Sequence, residues 1–109
     1  MIVVNRFRSG TDPAAGEALR VGLAQALEAL RARPGFVDGT VGRNVDDPEL
    51  WLLTTRWENV GSYRRALSSY DVKMTAVPLL SQALDEPSAY ELVEPGEGGL
   101  NQAVPRELG

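Results

Sequence analysis

The apolar residues of this chain change their spacing several times, and the order of those changes is the strongest constraint on its fold. Residues 2–8 and 50–58 alternate with a two-residue period, which is typical of strands. Residues 36–45 are also predicted as a strand, in which two glycines indicate a bulge or the close approach of another backbone. A turn and a last strand are predicted in residues 85–94. The intervening segments have helical spacing, so the predicted order is strand, helix, strand, strand, helices, strand.

Turn and capping residues indicate where the helices begin and end. Asp12 is predicted to cap the first helix, and Pro13 takes its first position, where the missing N–H costs nothing. Residues 33–35, "RPG", are predicted to end that helix. Asn59 is predicted to cap the next one. Pro78 lacks an N–H donor and clashes with the preceding turn, so we expect the remaining helical segment to divide into two short helices.

This order is the split βαβ arrangement of ferredoxin-like α+β folds, which have a four-stranded antiparallel sheet with helices on one face. If the other face is apolar, it needs a partner, and the simplest one is a second copy of the sheet related by a two-fold axis. We therefore expect a homodimer. Residues 1–94 are predicted to form one domain, and the Gly- and Pro-rich residues 95–109 a tail or arm.

The composition excludes several kinds of chemistry. The chain has no Cys and no His, so a disulfide, a thiolate nucleophile, an imidazole base and a structural zinc site are all excluded. The carboxylates of "DDPE" at 46–49 lack the ligand spacing of a calcium site, and no metal site is expected. A net charge of −4 argues against nucleic-acid binding. With no apolar run long enough to cross a bilayer and no recognisable signal peptide, we expect a cytoplasmic protein without a membrane partner.

Three polar or aromatic residues are candidates for a functional site. Trp57 and Tyr63 flank the change from strand to helix, and each is predicted either to pack in the core, as large aromatics usually do, or to line a pocket. Asn5 lies between Val3 and Phe7 on one strand face, and a buried amide without partners costs roughly 1–3 kcal/mol. It is therefore predicted either to line a polar pocket or to be bonded within the strand region.

Three local patterns give the chain a resemblance to the antibiotic biosynthesis monooxygenase superfamily. They are "NRF" in the first strand, "RPGF" before the second, and "WENVGSYRRAL", which is similar to the family's W-E-S-x-x-x-Y/F transition. The resemblance covers roughly residues 1–93 and implies a dimeric α+β barrel. The family includes oxygenases that convert phenolic polyketide intermediates to quinones with neither metal nor flavin, and relatives that bind and cleave haem.

Compared residue by residue, the resemblance to the polyketide oxygenases is partial. Trp57 and Tyr63 match the pocket Trp and Tyr of those enzymes in spacing and context. The pocket Asn four places before that Trp is replaced by Leu53, and the Arg of the later helix by Val77. Both changes remove polar groups that would orient a substrate or stabilise an anion.

The resemblance to the haem-degrading branch is weaker. Asn5 matches the first-strand Asn of that branch, but its helical Trp and His align with Ala66 and Ala76. Because the chain has no His at all, haem turnover of the known kind is not expected.

The resemblance therefore implies a cofactor-independent monooxygenase that oxidises a small aromatic or polyketide-like phenol. Trp57 would stack on the ring and supply an N–H, Tyr63 would bond the phenol oxygen, and Asn5 would hold a carbonyl or peroxide oxygen. The apolar helix side of the pocket keeps open a non-catalytic ligand-binding or accessory protein, and a cyclase or isomerase. The remaining predicted pocket residues are Phe7, Leu53, Leu67, Met74 and Val77.

Overall fold

The computed structural model describes residues 1–94, and the predicted tail at 95–109 lies outside them. The elements in chain order are β1 (Ile2–Arg8), α1 (Pro13–Arg31), β2 (Phe36–Arg43), β3 (Leu50–Trp57), α2 (Val60–Ser68), α3 (Tyr70–Thr75), α4 (Val77–Leu80) and β4 (Ala89–Tyr90). All strand pairs are antiparallel, in the order β2-β3-β1-β4. The prediction of a ferredoxin-like α+β fold is confirmed.

Helix α1 begins and ends at the residues that the sequence predicts. The Asp12 carboxylate accepts a hydrogen bond from the backbone N–H of Ala14, with an N to O distance of 2.9 Å. After the helix, Gly35 has a φ of +88°, a conformation that other residues rarely adopt. Between these ends, one stripe of α1 is buried against the sheet; it consists of Leu23, Ala26, Leu27 and Leu30.

The register of β1 and β3 determines which residues form the face of the sheet that the helices cover, here called the inner face. Val3 lies opposite Thr55, Asn5 opposite Leu53, and Phe7 opposite Trp51. Most of these side chains are buried, together with the stripe of α1 and with Ala66, Val72 and Ala76 of the shorter helices. The core is therefore a single layer between the inner face and the helices.

Strand β2 has a bulge between Phe36 and Asp38, before the two glycines that predicted a bulge or a close approach of another backbone. Next to it, Gly39 lies directly beneath α1, because a Cβ there would come within 2.6 Å of Cδ1 of Leu27 and 3.2 Å of the Thr54 carbonyl oxygen. A residue without a side chain thus allows α1 to pack closely on β2.

The predicted interruption near Pro78 is present, between α3 and α4, but other boundaries differ from the predicted elements. The chain divides into three short helices rather than two, because Ser69 adopts an extended conformation with ψ of 153° and ends α2. Pro78 lies in the first turn of α4, where its missing N–H is tolerated. Strand β2 ends two residues early, at Arg43.

The last strand is also much shorter than predicted. Within residues 85–94, which were predicted to contain a turn and a strand, only Ala89 and Tyr90 pair with β1. Pro87 has no N–H with which to extend the ladder. The preceding chain is held by other contacts, namely a bond from the Leu84 N–H to the Arg6 carbonyl and a bidentate ion pair between Arg6 and Glu86. Among the helices of residues 1–94, none has the length and apolar character needed to span a bilayer.

Candidate active site

Asn5 is a polar residue in the middle of an otherwise apolar part of the inner face. Its neighbours Val3, Phe7 and Leu53 are each 1% exposed, whereas Asn5 itself is only half-buried. Its side-chain amide makes no hydrogen bond to any part of residues 1–94, and neither amide atom is fully buried. Because an amide in apolar surroundings gains from a partner, Asn5 presents a free donor and a free acceptor to a ligand.

Trp57 ends β3 and is only 2% exposed. Its indole Nε1 donates a hydrogen bond to Oγ1 of Thr55, over 2.9 Å. Its ring lies between Phe36, at a centroid distance of 5.3 Å, and Tyr63, at 5.6 Å. The N–H that Trp57 was expected to offer a substrate is thus bonded within the protein, and the ring is part of an aromatic cluster.

Tyr63 extends from the first turns of α2 toward this cluster. The helix is positioned by Asn59, whose side-chain oxygen accepts a hydrogen bond from the backbone N–H of Ser62 over 2.9 Å. Burial raises the pKa of the Tyr63 phenol above its ordinary value. Because its pKa is raised, the phenol is protonated at neutral pH. Its hydroxyl makes no hydrogen bond to another described residue and is therefore free to act as a donor.

The other predicted pocket residues have very different exposures. Phe7 and Leu53 are buried in the inner face, and Leu67 and Val77 are half-buried and pack against the core. Met74, in contrast, is 62% exposed on α3, away from the interior. The helix side of the candidate site is contributed by the buried Ala66 and Ala76, so polar groups come mainly from Asn5 and Tyr63.

The inner face thus carries an amide, from Asn5, and a phenol, from Tyr63, beside apolar and aromatic side chains. In the part of the chain that the structure describes, no three acidic side chains converge as they would around a metal ion. The sequence identified Asn5, Trp57 and Tyr63, and the structure brings Trp57 and Tyr63 into ring contact; Asn5 lies on the same sheet face as Trp57.

A second concave region was not predicted from the sequence. It is a cavity of about 510 Å³ at the opposite end of β3, where the turn after β1, the start of α1 and the turn between β2 and β3 meet. Trp51, Arg43 and Arg20 line it from three different elements. The only signal in the sequence was the inward position of Trp51 in β3, and the same position would suit an ordinary core residue.

The topology and the aromatic and amide side chains between sheet and helices define an α+β protein of the ferredoxin-like class, with its candidate site on the helix-covered face. A sequence model of the antibiotic biosynthesis monooxygenase family matches residues 1–76, and the chain belongs to that family. The resemblance seen in the sequence is therefore confirmed.

Solved structures of related proteins share the fold. SnoaB from Streptomyces nogalater, described as a cofactor-independent oxygenase, is 25% identical, covers 88% of this chain and 96% of its own, and superposes with a TM-score of 0.62. A variant of SnoaB gives 24% identity over 88% and 96% of the two chains, with a TM-score of 0.65. Rv0793 from Mycobacterium tuberculosis is 21% identical, and the match covers 86% of this chain and 96% of Rv0793, with a TM-score of 0.64. A comparison with curated proteins finds no significant match.

Proposed function

We propose that this protein is a cofactor-independent monooxygenase that oxidises a small aromatic or polyketide-like phenol on the inner face of its sheet. The observation that carries the proposal is the free amide of Asn5, which is half-buried between side chains that are 1% exposed. Family membership and the likeness to SnoaB support the same chemistry.

The proposed reaction needs no group beyond the substrate, oxygen and the protein. The phenol loses its proton, the phenolate gives one electron to O₂, and the two radicals combine to a peroxide at a neighbouring ring carbon. Loss of water from that peroxide leaves a second carbonyl, so that one phenol and one O₂ become one quinone and one H₂O; the hydrogens of that water balance the phenol O–H and one ring C–H. The protein contributes a dry, preorganised site for the anion.

The side chains then have separate roles. Tyr63, whose pKa is raised by burial, is a donor to the phenolate rather than a base. Asn5 bonds the second oxygen of the substrate or the peroxide. Trp57 contributes its ring, because its N–H is bonded to Thr55. The substrate proton passes to water or buffer.

One observation favours a second candidate function. Trp57 is 2% exposed with its N–H satisfied, and Leu53, Ala66 and Ala76 supply no polar group. This is the arrangement expected of a non-catalytic ligand-binding or accessory protein, or of a cyclase or isomerase that requires mainly the shape of the pocket.

Oxygen uptake with an anthrone-type phenol distinguishes these functions. For the oxygenase we expect uptake well above the buffer rate, reduced about tenfold or more in Asn5→Ala and Tyr63→Phe, since each loses a donor to the developing anion. Tyr70→Phe is the matched control, because Tyr70 is 76% exposed on α3. If the phenol binds but uptake equals that of buffer alone, the protein is a binder for this class of molecule.

We also propose that the protein is a homodimer in which two sheets face each other. In the single chain, the face of the sheet opposite the helices carries apolar side chains that are only partly covered, among them Ile2, Val4 and Leu52. An apolar sheet face of this kind is normally covered by a second layer.

A further inference from the structure

The cavity around Trp51 is separate from the candidate active site. Trp51 and Trp57 stand at opposite ends of β3, roughly 20 Å apart at about 3.3 Å per residue. The cavity volume of about 510 Å³ is in the range of small-molecule sites. A ligand of this cavity is therefore separate from a substrate bound at Asn5, or is a distant part of the same molecule.

Trp51 has an unpartnered hydrogen-bond donor. The residue is 7% exposed, and its indole Nε1 is buried without a partner in residues 1–94. Buried donors in proteins are nearly always paired, and Trp57 on the same face follows that rule. The unpaired N–H of Trp51 is thus a place where a ligand acceptor would satisfy a group that the protein leaves unsatisfied.

Arg43 is the second free group. Its guanidinium carbon lies 5.3 Å from the centroid of the Trp51 ring, and the side chain is exposed. It has no ion-pair partner in the described part of the chain, whereas Arg20 in the same wall is paired with Glu17 at 2.6 Å. Arg43 therefore has its full set of donors available for an anionic group.

The acidic side chains that line the cavity differ in whether they are hydrogen-bonded within the protein. The Asp12 carboxylate is bonded to the start of α1, and Glu17 to Arg20. Glu49 has no side-chain hydrogen bond to another residue of 1–94, so its carboxylate is an acceptor for donors on a ligand. Among the charged and indole groups of this cavity, those without a partner in residues 1–94 are thus the guanidinium of Arg43, the N–H of Trp51 and the carboxylate of Glu49.

We propose that this cavity binds a small hydroxylated carboxylic acid. The ligand carboxylate pairs with Arg43 in a bidentate manner and accepts from the Trp51 N–H, and a ligand hydroxyl donates to Glu49. Since Nε1 of Trp51 has no exposed surface, the ligand reaches it after lining side chains move, and the exposed Arg43 is free to leave the ring.

The test is a titration followed by the two indole N–H resonances in nitrogen-15 NMR, since the chain has two Trp residues. D-glucuronate is the probe, D-glucose is its uncharged counterpart, and sodium chloride is matched for ionic strength. We expect a saturable shift of the Trp51 resonance with glucuronate and no comparable shift of the Trp57 resonance. A Trp51 resonance that does not move, or that moves equally with glucose or salt, overturns the proposal.

Substitutions of Arg43 test whether its guanidinium binds the ligand carboxylate. Arg43→Leu is expected to weaken glucuronate binding about tenfold or more, and Arg43→Gln, which keeps a polar but uncharged end on a shorter side chain, should weaken it similarly. Arg31→Leu is the matched control, because Arg31 also lies over an aromatic ring, at 5.6 Å from the centroid of Phe36, outside the cavity. Binding by either Arg43 variant at wild-type strength overturns the proposal, and an equal loss in Arg31→Leu does the same.

Discussion

At the scale of single residues, the two tryptophans of β3 differ in hydrogen bonding although they share a face. Thr55 lies four residues after Trp51 and two before Trp57, and its hydroxyl accepts a hydrogen bond from the Trp57 indole. The two-residue period of the sequence is sufficient to predict that all three side chains point inward. It cannot predict which indole is bonded, because that depends on side-chain rotamers that the pattern does not encode.

Removing the hydroxyl of Thr55 tests the importance of this bond. Thr55→Val keeps the shape of a side chain that is 2% exposed but leaves the Trp57 N–H buried without an acceptor. We expect a loss of about 1–3 kcal/mol in the free energy of unfolding, measured by urea denaturation. Thr54→Val, half-buried on the opposite face, is the control. Equal effects of the two substitutions would show that the hydrogen bond contributes nothing.

At the scale of elements, the two glycines of β2 have different structural roles although they look alike in the sequence. The sequence predicted a bulge or a close approach in this strand, and both Gly39 and Gly42 were candidates for it. Only Gly39 is in close contact with α1, because a Cβ at Gly42 would meet the nearest atoms of Leu52 at 3.7 Å, an ordinary contact. The break at Ser69 was likewise unpredicted, since no Pro or Gly marks it in the sequence.

The two glycines provide a matched pair of substitutions. Gly39→Ala forces the buried Leu27 and the backbone of β3 to move, and we expect it to lower the free energy of unfolding by about 1–3 kcal/mol, as overpacking does. Gly42→Ala should be close to neutral. Thermal and urea unfolding of both variants provide the measurement. Equal stability of the two would mean that α1 shifts at little cost.

At the scale of the whole molecule, the order of elements and the division of the sheet into two faces follow from sequence periodicity. The cavity around Trp51 does not, because it depends on side chains brought together from α1, β2 and β3. Sequence periodicity also does not predict that the side-chain amide of Asn5 is unbonded, since the sequence was compatible with both a bonded and an unbonded amide. Both features depend on contacts between segments that are distant in the sequence, and hydrophobic periodicity does not encode such contacts.

The proposed dimer is tested by a charge on the outer face. Leu52 lies on that face in β3, in register with Arg6 of β1 and Gly42 of β2. We expect the wild type to have the mass of two chains in light scattering and Leu52→Asp that of one, because an unpaired carboxylate is costly in an apolar interface. Val45→Asp, at a position 94% exposed in the turn after β2, should remain dimeric. A wild-type mass of one chain would contradict the proposal.

The central position of β1 has a consequence for how the chain acquires its structure. β2 and β3 are joined by a short turn and close locally, whereas β1 pairs with residues Leu50–Arg56, far along the chain. Contacts between distant residues form late, because a long loop must be closed first. We therefore expect β1 to remain unpaired during synthesis until β3 has left the ribosome. During that interval an apolar strand is open to association with other nascent chains.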